Sequence, residues 1–227
     1  MSSNSTSSTS LEPTLYSLIP SSIYKQFLNH LSLNSIYNEN LEIIDRIYLN
    51  SINSIIPNQI RNLRFRSIKN NNNNNKENWI NSLSYISNSL KSREYSEILT
   101  KALINLNILS EQDEFEIKDF INSLGFIHSH TYIQKGHLFH ISLPTNQLIT
   151  LQLSITHVIP LKTDSTFETN YQITNNDDPW LIQLYPSKPV NAVSTQGELN
   201  YSSIVEMMQD FVGNLGFPGL IWSTGNR

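Results

Sequence analysis

The sequence predicts an α+β protein, mostly antiparallel, in which a closed barrel of about eight strands is flanked by about three helices. Three observations lead there. Most apolar segments alternate with a period of two; one of them, Leu148 to Ile159, alternates for long enough to form a barrel wall; and a few segments repeat at helical spacing instead. At 227 residues the chain is long enough to bury one sizeable core, and residues 11–227 are expected to form a single barrel domain.

Residues 1–10 are almost wholly Ser, Thr and Asn, without the basic start and apolar core of a secretory signal, and read as a disordered tail. Leu15 to Ile19 is a short apolar run ending at Pro20, whose fixed ring suits the first turn of a helix. Ile23, Phe27 and Leu31 then recur with Tyr24 and Leu28 beside them, giving a helix over Ser21 to Leu31. In Leu41 to Asn50, Ile43, Ile47 and Leu49 fall on one side of a strand and Ile44 and Tyr48 on the other, so it is buried partly on both faces.

From Gln59 to Ile68, Leu63 and Phe65 alternate with Arg64 and Arg66, which reads as a strand with one wet, basic face. The Asn70 to Asn75 run competes with regular structure through its side-chain amides and predicts a flexible loop over 69–78. Trp79 to Asn88 resumes the alternation and closes a hairpin. Glu94 to Leu109 is ambiguous: Tyr95, Ile98, Ala102 and Leu106 fit a helix, while Ala102, Ile104, Leu106 and Ile108 fit a strand.

Asp113 and Glu116 open a helix with Ile117, Phe120, Ile121 and Leu124 on one face before Gly125. Strands follow at Phe126 to Gln134 and His137 to Leu143, parted by a Lys135-Gly136 turn, and then at Leu148 to Ile159 after a turn from Pro144. A variable stretch with Phe167, Tyr171 and Ile173 precedes a strand over Trp180 to Tyr185. Ser203 with Glu206 reads as a capping box for a terminal helix carrying Ile204, Met207, Met208, Phe211 and Leu215, ending near Gly216. There are no internal repeats.

Composition narrows the function classes. No run of about 18 apolar residues exists to form a membrane-spanning helix. The absence of cysteine removes disulfides, thiolate zinc sites and Cys nucleophiles, and suits a reducing compartment. A net charge of -4 gives no overall attraction to nucleic acid, and the basic group Arg61, Arg64, Arg66 and Lys69 reads as a solvated face.

Two constellations carry possible chemistry. Five of the six histidines lie between His128 and His157, and the His128-Ser129-His130 spacing points two imidazoles to one side of a strand. With His137, His140 or His157 a three-His zinc site is geometrically possible, but no Asp or Glu lies between Phe120 and Thr163 to support it, so strand-face histidines without metal are expected. The second is Glu114-Phe115-Glu116-Ile117-Lys118, which matches the Glu-x-Glu-x-Lys signature of metal-dependent triphosphate-tunnel phosphohydrolases. Those enzymes need several strands of alternating acids and bases, whereas here Leu148 to Ile159 and Trp180 to Tyr185 contain no acid and the motif opens a helix-patterned segment. No Gly-x-Ser-x-Gly or phosphate-cradling Gly-rich loop is present. The expectation is no catalytic, cofactor-binding or metal-binding residue.

The segment Asp119-Phe120-Ile121-Asn122-Ser123-Leu124-Gly125-Phe126, followed by Tyr132 and Lys135-Gly136-His137-Leu138-Phe139, resembles the best-marked stretch of the Mediator subunit 18 family. The order of the other elements is similar along nearly the whole chain, although only about twenty residues are specific. The resemblance implies a barrel like that of the tunnel phosphohydrolases without their chemistry, and tips Ala102 to Leu109 toward strand. It further implies a nuclear, non-catalytic coactivator subunit of the Mediator head module, paired with subunit 20, anchored by a helix of subunit 8 and placed at RNA polymerase II. A metal-dependent tunnel phosphohydrolase is the alternative. Phe217, Leu220, Ile221 and Trp222, after the last helix, are expected either to fold back on the barrel or to bind a partner.

Overall fold

A computed structural model describes residues 10–50, 62–70, 78–90, 95–106, 114–143, 146–161, 178–191 and 200–223. The elements run β1 (Ser10–Ile19), α1 (Ser21–Asn34), β2 (Tyr37–Asn50), β3 (Asn62–Asn70), β4 (Asn78–Ile86), β5 (Leu99–Leu106), α2 (Glu114–Ser123), β6 (Phe126–Leu143), β7 (Asn146–Leu161), β8 (Trp180–Pro186), β9 (Val190–Asn191), α3 (Tyr201–Leu215) and β10 (Trp222–Ser223). The strands follow the order β1-β5-β4-β3-β2-β6-β7-β8, and β8 pairs back onto β1. This is a closed, antiparallel, eight-stranded barrel, as the alternation predicts.

β1 closes the ring by dividing its length. Ser10 to Thr14 pair with β5, Leu15 to Ile19 pair with β8, and the two-residue strands β9 and β10 satisfy β1 where those partners stop. Closure leaves no long sheet edge along β1 to recruit another chain.

Helices cover the outside in two patches. α1 contributes Phe27 and Leu31 and α3 contributes Ile204, Val205, Met208 and Leu215 to a core over β1, β6, β7 and β8. His30 Nε2 lies 2.6 Å from the Leu215 carbonyl oxygen, tying α1 to an unsatisfied carbonyl at the end of α3. α2 covers the other side, where Ile117 and Ile121 meet Tyr48, Leu63, Phe65, Leu83 and Phe126. Phe120 and Leu124 were expected on that face but are 52% and 46% exposed, because the stripe that reaches the barrel is only one residue wide per turn.

Several expectations change. Lys135-Gly136 is not a turn: β6 runs unbroken from Phe126 to Leu143. Gly136 is there because a Cβ would fall 1.9 Å from the Ile155 carbonyl oxygen on β7, so two backbones approach where no side chain fits. The α3 cap is Asn200, whose Oδ1 accepts from the Ser203 amide at 2.8 Å, so the helix starts two residues before Ser203. Gly125 (φ 80°) and Gly216 (φ 59°) do end α2 and α3 in left-handed geometry. Within the ambiguous Glu94 to Leu109 segment, β5 makes Leu99–Leu106 strand, while residues 94 and 107–109 lie outside the described residues. Ser10, assigned to the tail, already pairs in β1, and the expected 69–78 loop narrows because β3 reaches Asn70 and β4 starts at Asn78. Residues 1–9, the Asn run after Asn70 and the stretch with Phe167, Tyr171 and Ile173 lie outside the described residues. No described helix is long and apolar enough to cross a membrane.

Candidate functional site

Antiparallel partners directly opposite one another share a face, so the register tells which side chains enter the barrel. Asp45 stands opposite both Arg66 and Tyr132, Glu12 opposite Lys101, Tyr16 opposite Gln183, and Gln152 opposite Tyr185. Glu12, Tyr16, Arg64, Arg66, Lys101, Tyr132, Gln134, Gln183 and Tyr185 all line one small internal cavity of about 70 Å³. The basic face of β3 is therefore not a solvated surface, as its alternation suggested. It points into the barrel, while Leu63 and Phe65 point out beneath α2.

The centre of this interior is an ion pair. Arg66 donates from Nε and Nη2 to the two oxygens of Asp45, at 2.7 Å each, and the carboxylate is fully buried. Burial by itself would push the Asp45 carboxyl up, but the charge and paired hydrogen bonds of Arg66, helped by Arg64, hold it below the usual carboxylate value. Burial also works against the Arg66 charge, yet Asp45 raises that guanidinium above its ordinary range. Burial, then Asp45, pushes the Tyr132 phenol up; burial raises Tyr185 to about 12.

The two ends of the interior differ. One is closed by Leu41, Ile43 and Leu138, with Ile68 and Tyr185 packed on them. The other opens into a cavity of about 290 Å³ that includes Asn62, Arg64, Lys101, His130 and Tyr132 in its wall. Arg64 reaches Glu12 only at 3.7 Å, and Lys101 has no ion-pair partner among the described residues. Burial and then the Arg66 charge lower the Arg64 pKa; burial and then Arg64 lower that of Lys101. The interior can therefore hold negative charge. Its described acids, Glu12 and Asp45, both face arginines.

The histidines are scattered. The β2–β6 register shifts between Ile47 and Tyr48, so Ile47 pairs with His130 and Tyr48 with His128. That bulge turns the pair to opposite faces, contrary to the expected shared side. His128 lies edge-on to Tyr48, ring centroids 5.4 Å apart, and His130 enters the open end of the barrel. His140 bonds Glu39 at 2.9 Å, and His157 lies 3.7 Å from the Trp180 ring, which stacks on Tyr24 at 3.8 Å. No group of three His, Asp or Glu among the described residues is placed to hold a metal.

Burial lowers the pKa of His128, His137 and His157, opposed at His157 by Asp178. The unfolded chain therefore takes up protons first, and stability is full above the free-imidazole value of 6.5 and drains as pH falls below it. Thermal unfolding followed from about pH 7.5 to about pH 5.5 should show a falling midpoint, and a His137→Gln, His157→Gln double variant should flatten the slope. An unchanged slope would mean these rings are not desolvated.

The Glu-x-Glu-x-Lys motif lies on α2, outside the barrel, with Glu116 exposed. After α3, Phe217 packs edge-on against Phe27 (4.8 Å), Leu220 joins the same core, and Trp222 pairs with Ser17, whose Oγ donates to the Ile221 carbonyl at 2.7 Å. The Ile221 side chain is 77% exposed.

No family model and no curated protein sequence matches the chain. Solved structures do. A chain of the Schizosaccharomyces pombe Mediator head module matches with a TM-score of 0.60 at 17% identity, over 89% of this chain and 92% of that one. A Pyrococcus horikoshii protein matches at 0.50 and 14% identity, over 92% and 93%. A Hippeastrum protein with a dominant triphosphatase activity matches at 0.47 and 10% identity, over 95% and 92%, too distant to bear on function. At these identities the likeness is one of fold.

Proposed function

We propose that the chain is a non-catalytic structural subunit of a Mediator head module, of the subunit 18 type, acting in the nucleus as a coactivator scaffold for RNA polymerase II transcription. The observation that carries this reading is a likeness of fold, over 89% of this chain, to a chain of the Schizosaccharomyces pombe Mediator head module. The Asp119 to Phe126 and Lys135 to Phe139 segments add a resemblance in sequence to the same family. Subunit 20 and a C-terminal helix of subunit 8 are the partners this reading implies.

The rival, a metal-dependent tunnel phosphohydrolase, draws on the same barrel and on its internal arginines. It needs acids free to hold a divalent ion. Glu12 and Asp45 each face an arginine, and Glu116 is on an outer helix, which favours the scaffold.

Affinity purification from nuclear extract followed by mass spectrometry tests the reading: head-module subunits are expected, and their absence from a purification that retains the intact chain would contradict it. The segment after α3 offers a finer test. Phe217→Ala should lower stability by about 2 kcal/mol, since it removes a half-buried ring from the core. Ile221→Ser should leave the unfolding midpoint alone and weaken partner capture, because its side chain is the most exposed of the four apolar residues in this segment. Capture unchanged by Ile221→Ser would remove this segment from the interface.

A further inference from the structure

Among the described residues the barrel interior holds one base more than its acids can match. The two arginines take the two carboxylates: Arg66 through paired 2.7 Å hydrogen bonds to Asp45, Arg64 at 3.7 Å from Glu12. Lys101 lines the same interior and stands directly across the β1–β5 pair from Glu12, where cross-strand charges ordinarily meet. The Glu12 carboxylate lies against Arg64 instead, and Lys101 has no ion-pair partner among the described residues.

A guanidinium keeps its proton in a protein, whereas an amine can lose one. The interior therefore reaches charge balance when Lys101 is neutral, with each arginine on its own acid. Burial first, and the Arg64 charge second, move Lys101 toward that form. The residue is half-buried but not sealed in, because it also lines the cavity of about 290 Å³ at the open end. A partly desolvated lysine beside another cation is the setting in which an amine becomes a nucleophile near neutral pH.

We propose that Lys101 is a modification site, acylated on Nζ by a small thioester entering from the open end of the barrel. The Nζ lone pair attacks the thioester carbonyl, the new N–C bond forms, and the C–S bond breaks. The departing thiolate takes up the proton that nitrogen loses, so the products are an amide and a thiol. The charge of the neighbouring Arg64 favours the negative oxygen that develops on the carbonyl during attack. The amide is uncharged, so a small neutral acyl group such as acetyl makes the balance of two bases and two acids permanent. This inference does not depend on membership of a head module.

The test incubates the folded full chain with S-acetyl-N-acetylcysteamine near neutral pH, then unfolds it and caps the remaining amines with deuterated acetic anhydride. Mass spectrometry of its peptides reads the extent of acetylation at each lysine. Lys101 is expected to react about fivefold or more faster than the exposed Lys25 and Lys188, and to lose that lead when the reaction is run in urea. Arg64→Gln, checked by circular dichroism for a native fold, should slow Lys101 alone, since it removes the neighbouring cation and frees Glu12; if it does not fold, the comparison of folded and unfolded chain decides. Lys101→Gln, neutral like the acylated side chain, should hold or raise the unfolding midpoint. Lys101 reacting no faster than Lys25, a lead that persists in urea, or a lower midpoint for Lys101→Gln would overturn the proposal.

Discussion

Replacing Asp45 with Ala is expected to destabilise the protein by about 3 to 5 kcal/mol, the range for removing one partner from a buried ion pair. The cause is the charge left behind. Arg66 donates to Asp45 from Nε and Nη2, and Arg64 and Lys101 line the same interior, so three bases would then face Glu12 alone. Urea unfolding measures the loss, and Asp45→Leu combined with Arg66→Met should recover most of it, since the pair itself is worth little against apolar residues of similar volume. Acid should act on the same contact. The Asp45 carboxyl titrates below its ordinary 3.8 in the fold, so its contribution is intact above that pH and is lost as pH falls through the folded value. An Asp45→Ala loss below about 1 kcal/mol would mean water reaches Arg66.

Gly136→Ala should cost about 3 kcal/mol or more, at the upper end for an overpacked site. This is a steric prediction and not a matter of glycine flexibility, because Gly136 is in ordinary strand geometry with no positive φ. The new methyl would lie 1.9 Å from the Ile155 carbonyl oxygen and 3.0 Å from the Thr156 Cα, and neither is the far end of a side chain that could swing away. β6 and β7 would have to separate between Lys135–His157 and His137–Ile155, near the middle of their pairing. Thermal unfolding of Gly136→Ala beside Gly213→Ala separates the two causes, since a Cβ at Gly213 meets nothing within 4 Å and that helical substitution should be neutral or stabilising. Equal midpoints for the two variants would contradict the close approach.

The strands were legible because apolar residues alternate in them, and the helices because Phe27 and Leu31, or Ile204 and Met208, repeat at three or four. The interior was not legible for the same reason. A period of two separates the faces of β3 but does not say which is inside, and Arg64 and Arg66 pass for a wet outer face until closure puts them within. Glu12, Tyr16, Asp45, Lys101, Tyr132 and Tyr185 come from five different strands and share no sequence spacing. Tyr16 and Tyr185 lie opposite the buried apolar set of their strands, but Asp45 shares its face with Leu41 and Ile43, and Lys101 shares its face with Leu103, so alternation alone did not mark them. A single bulge between Ile47 and Tyr48 was enough to reverse the reading of His128 and His130. Gly136 misled because Lys-Gly is a common turn dipeptide, and only the β7 backbone beside it explains the residue.

The central claim is assembly as a head-module scaffold, and direct reconstitution tests it most closely. The full chain is co-expressed with Mediator subunit 20 of the same organism and with the C-terminal segment of its subunit 8, and the products are resolved by size-exclusion chromatography with light scattering. The account predicts a stable complex holding one copy of each polypeptide that survives moderate salt. The chain eluting alone at its 26.0 kDa monomer mass, with both candidates folded and present, would contradict it.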